Sequence, residues 1–471
     1  MKLSRRSVLK LLAAAAMMPV AGAGRAERGR VLRMEVGRQR LISDAYPETE
    51  VWGFDGVVPG PELRYRQGER LRVTARNALP GTTTIHWHGL RVPNAMDGVP
   101  HLTQAPIPPG GEFAYEFPLH DAGTFWYHPH DHSSEQVARG LYGALIVEER
   151  DPIAVDRDVT WVLSDWRLNP DASQREDFGA LFDRAHEGRM GNTITINGKF
   201  TLKDGVFEVR GGERIRLRLI NAASARIFTL RFAGHAPQVI ALDGQPVAPH
   251  HPGSGEIELG PGMRADVVLD CMQRPGSRHD VSDEFDPRVS RRLIALAYRD
   301  EAPLRASPPD TPVALAPNPL SEPDVARAER HAFLFQGGAM GTIREAMFQG
   351  RRVPLAKLAR EHGLAWTING GAIKERAHQP VLTLKRGAHC VLEMRNETAW
   401  FHPMHLHGVV FRVIARDGEP TRHREWRDTV LMAPRERVDI AFVADNPGDW
   451  MFHCHVLDHQ AAGMSAVIRI A

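Results

Sequence analysis

One passage occurs three times along this chain, and that repeat constrains the fold more than any other feature. Its first copy, Arg66-Gln67-Gly68-Glu69-Arg70-Leu71-Arg72-Val73-Thr74-Ala75-Arg76-Asn77, leads into His86. The second runs from Arg210 to Asn221 and leads into Phe228; the third runs from Lys385 to Asn396 and leads into His402. In each, a glycine turn precedes a run with apolar residues at alternate positions. Leu71, Val73 and Ala75 alternate with arginine or threonine, as Ile215, Leu217 and Leu219 alternate with arginines. Period two predicts a strand with one face in a core and the other in water.

Two further phrases recur. Phe54-Asp55-Gly56, Ile196-Asn197-Gly198 and Ile368-Asn369-Gly370 each read as a turn between strands. Pro109-Gly110-Gly111, Gly260-Pro261-Gly262 and Ala433-Pro434-Arg435 each precede an alternating strand. Short strands, frequent Gly/Pro turns and little helical periodicity predict an all-β chain of sandwiches. At 471 residues the chain exceeds one ordinary core. The repeats divide it into domains at 28–150, 151–322 and 323–471, with the seven prolines between Pro303 and Pro323 forming an extended connector. The one helical expectation covers Ile343 to His362.

Residues 1–27 have a different character. Arg5-Arg6 precede an apolar run from Leu11 to Ala21, and small residues follow. This is the form of a removable export signal, too short to span a bilayer, and the arginine pair resembles a twin-arginine signal. The mature chain is then expected in the periplasm, with no membrane span and as a monomer. A net charge of +2 gives no reason to expect nucleic acid or an acidic membrane as partner. Three cysteines make no disulfide scaffold, and Cys271 and Cys390 are expected as buried free thiols.

Histidine is the outlier, at 23 residues. Roughly one His-x-His would arise by chance at that frequency; five are present, counting His130/His132. The clusters are His86-Trp87-His88-Gly89, Trp126-Tyr127-His128-Pro129-His130, His402-Pro403-Met404-His405-Leu406-His407-Gly408, and His453-Cys454-His455 with His459 and Met464 beyond. Alternate residues on a strand face the same way, so each pair can present two imidazoles to one ion. Cys454 lies between His453 and His455, so its sulfur points opposite to both. His402 is out of phase with His405 and His407. The residues therefore describe two sites back to back. Two histidines, a cysteine and a distant methionine form the ligand set of a blue-copper electron-transfer site; zinc has no use for a thioether. Eight imidazoles on the other side can hold three ions and leave room for a small molecule. Cys454 is bonded in sequence to two of those histidines, which gives an electron a short covalent path inward.

These motifs, in this order at the two ends of the chain, resemble the multicopper oxidases over essentially the whole mature length. The resemblance implies three cupredoxin-like Greek-key β-sandwiches and four coppers per chain. Type 1 copper would take His402, Cys454, His459 and Met464, and type 2 copper would take His86 and His405. The type 3 pair would take His88, His128, His130, His407, His453 and His455. It further implies four one-electron oxidations of a small reducing substrate coupled to reduction of dioxygen to water. The second unit keeps no His-x-His and reads as a scaffold spacing the outer two.

Water formation consumes protons. Asp97 matches the acidic residue that similar enzymes place near type 2 copper, and is expected to relay them. Gln460 stands where many bacterial relatives carry a glutamate, which leaves the second branch of the proton path open. Asp428 is expected to anchor the third domain near the type 1 site. Methionine is sparse between Gly337 and His362, with only Met340 and Met347, and Thr398 stands where copper(I)-oxidising relatives carry an acid. Phenols or aromatic amines are therefore the favoured donors, ahead of copper(I) or another metal ion in copper tolerance. Complete retention of the twelve ligands argues against a non-enzymatic structural relative.

Overall fold

Each of the three repeated strands becomes the spine of a sheet, flanked in the same manner. Arg70–Asn77 lies between Arg30–Gln39, parallel, and Glu112–Pro118, antiparallel. Glu213–Asn221 lies between Arg157–Trp166, parallel, and Arg264–Cys271, antiparallel. His389–Asn396 lies between Glu329–Gly337, parallel, and Arg437–Val443, antiparallel. These sheets come from a computed structural model that describes residues 29–200, 205–373 and 379–471. The export signal expected over 1–27 lies outside the described residues.

The other recurring phrases repeat down to single hydrogen bonds. Asp55-Gly56, Asn197-Gly198 and Asn369-Gly370 all adopt positive φ at both residues, the signature of a tight hairpin turn. In each, the side-chain oxygen of the first residue accepts from a backbone N–H on the neighbouring strand, of Arg33, Val162 or Leu334. The asparagine closing each repeat does likewise. Asn77, Asn221 and Asn396 accept from the N–H two residues on, and their amides donate to the carbonyls of Ile107, Leu259 and Ala433. The chain is thus three copies of one sandwich, each pinned by its own polar side chains.

The second sheet of each sandwich carries the motifs. In the first, the order is Gly60–Arg66, Gly143–Glu148, Gly123–His128, His86–His88. In the third, Gly448–Cys454 lies beside His402–Leu406. Phe228–Phe232 occupies the same slot in the second, without histidine. One continuous apolar core joins the first and third units, through Trp87, Phe125, Trp450 and Phe452 among others, while the second has its own around Trp161, Phe228 and Leu296. The outer units therefore press their histidine strands together.

Two expectations change. Leu71, Val73 and Ala75 are buried on a strand whose other face reaches solvent, but Glu213–Asn221 is buried on both faces. Arg216 pairs with Glu149 and Asp266, and Arg218 with Asp158, Asp266 and the Thr124 hydroxyl. The arginine face meets the first unit rather than water, and paired acids make its burial tolerable. The helix expected from Ile343 begins only at Leu355 and ends at His362; before it, Glu345–Phe348 and Arg351–Pro354 form a hairpin. Cys271 and Cys390 are free and buried, as expected, and burial pushes both thiols up to about 12. Among the described residues, no helix is long and apolar enough to cross a membrane.

Candidate metal centres

Strand pairing builds the sites. His86 pairs with His128 across one sheet, and His405 with His453 across another. Met404 pairs with Cys454, one step out of phase with those imidazoles. The alternation sends Cys454 to a separate place, as its position in the sequence requires.

That place is a triangle. Cys454 Sγ lies 3.5 Å from His402 Nδ1 and 3.7 Å from His459 Nδ1, and the two nitrogens are 3.2 Å apart. A point equidistant from all three lies about 2.0 Å from each, the reach of a nitrogen- and sulfur-ligated transition metal. The opposite edge of each imidazole is engaged. His402 Nε2 donates to Thr398 Oγ1 at 2.8 Å, and that hydroxyl donates onward to Asn396 Oδ1. His459 Nε2 donates to the backbone carbonyl of His186 at 2.6 Å. Both Nδ1 atoms are then bare lone pairs. Burial drives the Cys454 thiol well above its ordinary value and lowers His402, and it takes His459 down to about 3. The pocket therefore holds a neutral thiol and two neutral imidazoles, and a cation among them is what would make the buried thiolate tolerable. Met464 is buried beside them, its backbone hydrogen-bonded to both Cys454 and His459.

The other eight histidines converge in three groups, the first two sharing His88: His86, His88 and His405; His88, His128 and His455; His130, His407 and His453. In five of them the outward nitrogen is tied to a group that only accepts. His86 Nδ1 donates to Asp97 O, His128 Nδ1 to Pro129 O, His405 Nδ1 to Asp428 O, His453 Nδ1 to Cys454 O, and His407 Nδ1 to the Asp97 carboxylate. Their inward Nε2 atoms are therefore unprotonated. His88 is turned the other way: Nε2 donates to Asp428 Oδ1 at 3.1 Å and Nδ1 faces inward. The inward nitrogens of His86, His88, His128 and His405, and both nitrogens of His455, lack any hydrogen bond. Nε2 of His407 and of His453 point at each other across 3.0 Å. Two lone pairs so placed repel, and a cation between them removes the conflict. Burial comes first and neighbouring imidazoles next in holding His88, His128, His130, His407 and His453 well below their ordinary values, so the rings are neutral, as metal ligation requires.

Other sequence expectations fall as follows. Asp97 is fully buried between His86 and His407. The Gln460 amide lies 3.5 Å from His130 Nδ1, the ring nitrogen facing away from the cluster. Asp458 points away, accepting from the Arg189 N–H, and burial raises it to about 6. His132 is an exposed residue at the start of Ser133–Ala138 and pairs with Asp131. Asp428 anchors the trinuclear side rather than the type 1 side, because Thr429 pairs with His405 in the sheet and carries Asp428 with it. The His186 carbonyl and Arg264 went unnoticed in the sequence, and Thr398 was singled out there only for lacking a carboxylate, not as the partner of His402. Thr398 had a signal, standing two residues past the repeated asparagine.

Two sites of this composition, one with sulfur and one with imidazoles alone, define a blue-copper oxidase with a trinuclear centre. Comparison with known proteins agrees. Multicopper oxidase family models match residues 35–152, 157–282 and 351–471. The chain is 30% identical to multicopper oxidase MmcO of Mycobacterium tuberculosis, over 96% of this chain and 89% of that one. It is 29% identical to Laccase-2 of Fomitopsis schrenkii, over 92% and 88% respectively. The crystal structure of a multicopper oxidase from Pseudomonas thermotolerans superposes with a TM-score of 0.79 at 35% identity, covering 94% of this chain and all of that one. The chain belongs to the multicopper oxidase family, with its three cupredoxin-like domains. It carries four coppers, of types 1, 2 and 3, and is an oxidoreductase with dioxygen as electron acceptor.

Proposed function

We propose that this enzyme oxidises phenols and aromatic amines at a type 1 copper that His402, Cys454, His459 and Met464 would hold. In this reading His86 and His405 hold type 2 copper. His88, His128 and His455 hold one type 3 ion, and His130, His407 and His453 the other. Copper supplies the one-electron acceptor at the first site and the electrons that reduce dioxygen to water at the second. The chain's own residues do the rest. Acceptor partners fix the tautomer of the ligand imidazoles other than His130 and His455 before any metal arrives. Cys454 joins the two sites through its bonds to His453 and His455. Asp97, buried against two trinuclear ligands, relays protons inward. The domain limits read from the repeats, 28–150, 151–322 and 323–471, belong to the same proposal, as do export by the twin-arginine route to the periplasm and a monomeric state.

A single observation carries the choice of donor. A cavity of about 220 Å³ opens beside the sulfur site, walled by Glu187, Met190, Ile227, Trp400, Phe401 and Val456. Three walls adjoin the ligand set directly. The Val456 N–H donates to Cys454 Sγ, Phe401 precedes His402, and Glu187 follows the carbonyl that holds His459. Aromatic and thioether walls suit a flat ring, and one carboxylate suits a phenolic O–H or an ammonium. A larger cleft of about 430 Å³ is lined by Arg395, Arg435, Arg437 and other polar residues, and offers no such wall. The competing reading, oxidation of copper(I), rests on Met340, which is exposed beside the same segment: the adjoining Ala339 N–H donates to the Ala185 carbonyl.

Oxygen uptake with a phenol, an aromatic amine, copper(I) and ferrocyanide in parallel tests this. Trp400→Ala is expected to raise KM for both aromatic donors by about tenfold, equivalent to about 1.4 kcal/mol of lost contact, and to leave ferrocyanide unchanged. Unchanged aromatic KM, with copper(I) the fastest donor in the wild type, would transfer the assignment to the metal-ion reading.

A further inference from the structure

The unit without histidine motifs nevertheless reaches the trinuclear ligands. Arg264 opens the strand Arg264–Cys271 of the second unit and is fully buried. Its guanidinium grips both oxygens of Asp428, Nη1 to Oδ1 at 2.8 Å and Nη2 to Oδ2 at 2.5 Å. Nε donates to the Thr124 carbonyl of the first unit. Asp428 Oδ1 in turn accepts from His88 Nε2, and from the Thr429 hydroxyl at 2.8 Å. The Asp428 backbone carbonyl accepts from His405 Nδ1. His88 and His405 come from different units, yet their rings stack 3.8 Å apart and 11° from parallel, directly on this cluster.

Two glycines leave room for it. A Cβ on Gly89, immediately after His88, would lie 2.3 Å from Arg264 Nη2 and 2.6 Å from Asp428 Oδ2. A Cβ on Gly262, two residues before Arg264, would lie 2.9 Å from the His455 ring and 3.0 Å from His88. Both glycines have positive φ, which side chains rarely adopt. Each unit thus contributes to one junction: an arginine from the second, an aspartate from the third, a histidine from the first.

We infer that Arg264 is a positioning residue for the trinuclear centre, acting through Asp428 to turn His88 so that Nδ1, not Nε2, faces the metal. His88 is the one imidazole of the cluster whose Nε2 is held by a carboxylate, and its inward Nδ1 lacks a partner. A bidentate arginine–carboxylate pair fixes the plane of the carboxylate as well as its distance, and lysine cannot do so. The second unit therefore does more than space the outer two. The inference rests on the reading of His88 as a type 3 ligand.

Copper content per chain, type 1 blue absorption and EPR-detectable copper are measured on copper-loaded wild type, Arg264→Lys, Arg264→Met and His88→Ala. The Arg264→Met variant is expected to keep its blue absorption and lose copper affinity at the trinuclear centre by roughly 10–100-fold, the usual cost of removing a group that orients a ligand. Arg264→Lys, which keeps the charge and loses the fork, is expected to fall between. Full copper and wild-type EPR in Arg264→Met would overturn the inference. So would parallel loss of blue absorption and trinuclear copper in both arginine variants, which marks general misfolding. His88→Ala separates the two levels: if it too keeps full copper, the ligand assignment fails rather than the role of Arg264.

Discussion

Asp97 performs two tasks in this account, and a single substitution separates them by magnitude. Its Oδ2 accepts from His407 Nδ1 at 2.9 Å, and its backbone carbonyl accepts from His86 Nδ1 at 2.8 Å. Its Oδ1 has no hydrogen bond and lies 3.3 Å from His86 Nδ1. Asp97→Asn keeps the shape, the backbone contact and an oxygen acceptor for His407. What holding the ligand loses is the charge assistance in one hydrogen bond, about 1 kcal/mol, or roughly fivefold. Proton delivery by a positioned acid is worth roughly 10²–10⁴-fold, and an amide cannot supply it. The expected outcome is therefore a fall of about a hundredfold or more in steady-state oxygen reduction. Stopped-flow reduction of type 1 copper by the donor should be unchanged, and so should the copper content. A loss under about tenfold, or equal slowing of both steps, would leave Asp97 with the holding role alone.

Arg216→Met strands Glu149, leaves Asp266 with Arg218 alone, and is expected to cost about 3–5 kcal/mol of stability, read as a lowered unfolding midpoint. Burial would raise Glu149, but Arg216 outweighs it and holds that carboxyl below its usual range. Its contribution in the wild type is thus present above about pH 4 and lost as pH falls further. In the variant burial prevails and the dependence reverses, so stability should increase on mild acidification; the same acid slope in both would contradict this. Gly262→Ala introduces a methyl 2.9 Å from the His455 ring. It is expected to deplete trinuclear copper while type 1 absorption persists, as judged by metal analysis and visible spectra.

Much of this architecture could be read from the chain because the repeats carry their own hydrogen bonds. Asn77, Asn221 and Asn396 stand at matching positions and make matching contacts, so equal spacing in sequence meant equal structure. The division of Cys454 from its neighbours followed from strand alternation alone. What escaped notice was the partner of each face. Arg214, Arg216 and Arg218 show the pattern of a solvated edge, yet acids from distant segments cover them. Periodicity tells which side chains share a face but not what packs against it. Asp428 and Arg264 are 164 residues apart, and His459 and His186 are 273 apart. Contacts at such separations leave no local trace, and the second unit's share in the site was hidden for that reason. The hairpin at Glu345–Phe348 was missed because short apolar runs fit either period.

The central claim is that one face of the strand ending at Cys454 takes electrons in while the reverse side spends them on dioxygen. Cys454→Ser, loaded with copper, should lose the blue absorption and steady-state oxidase activity while retaining three coppers per chain and the wild-type circular dichroism. Undiminished oxygen uptake by that variant, or a wild-type protein holding a single ion per chain, would contradict the account.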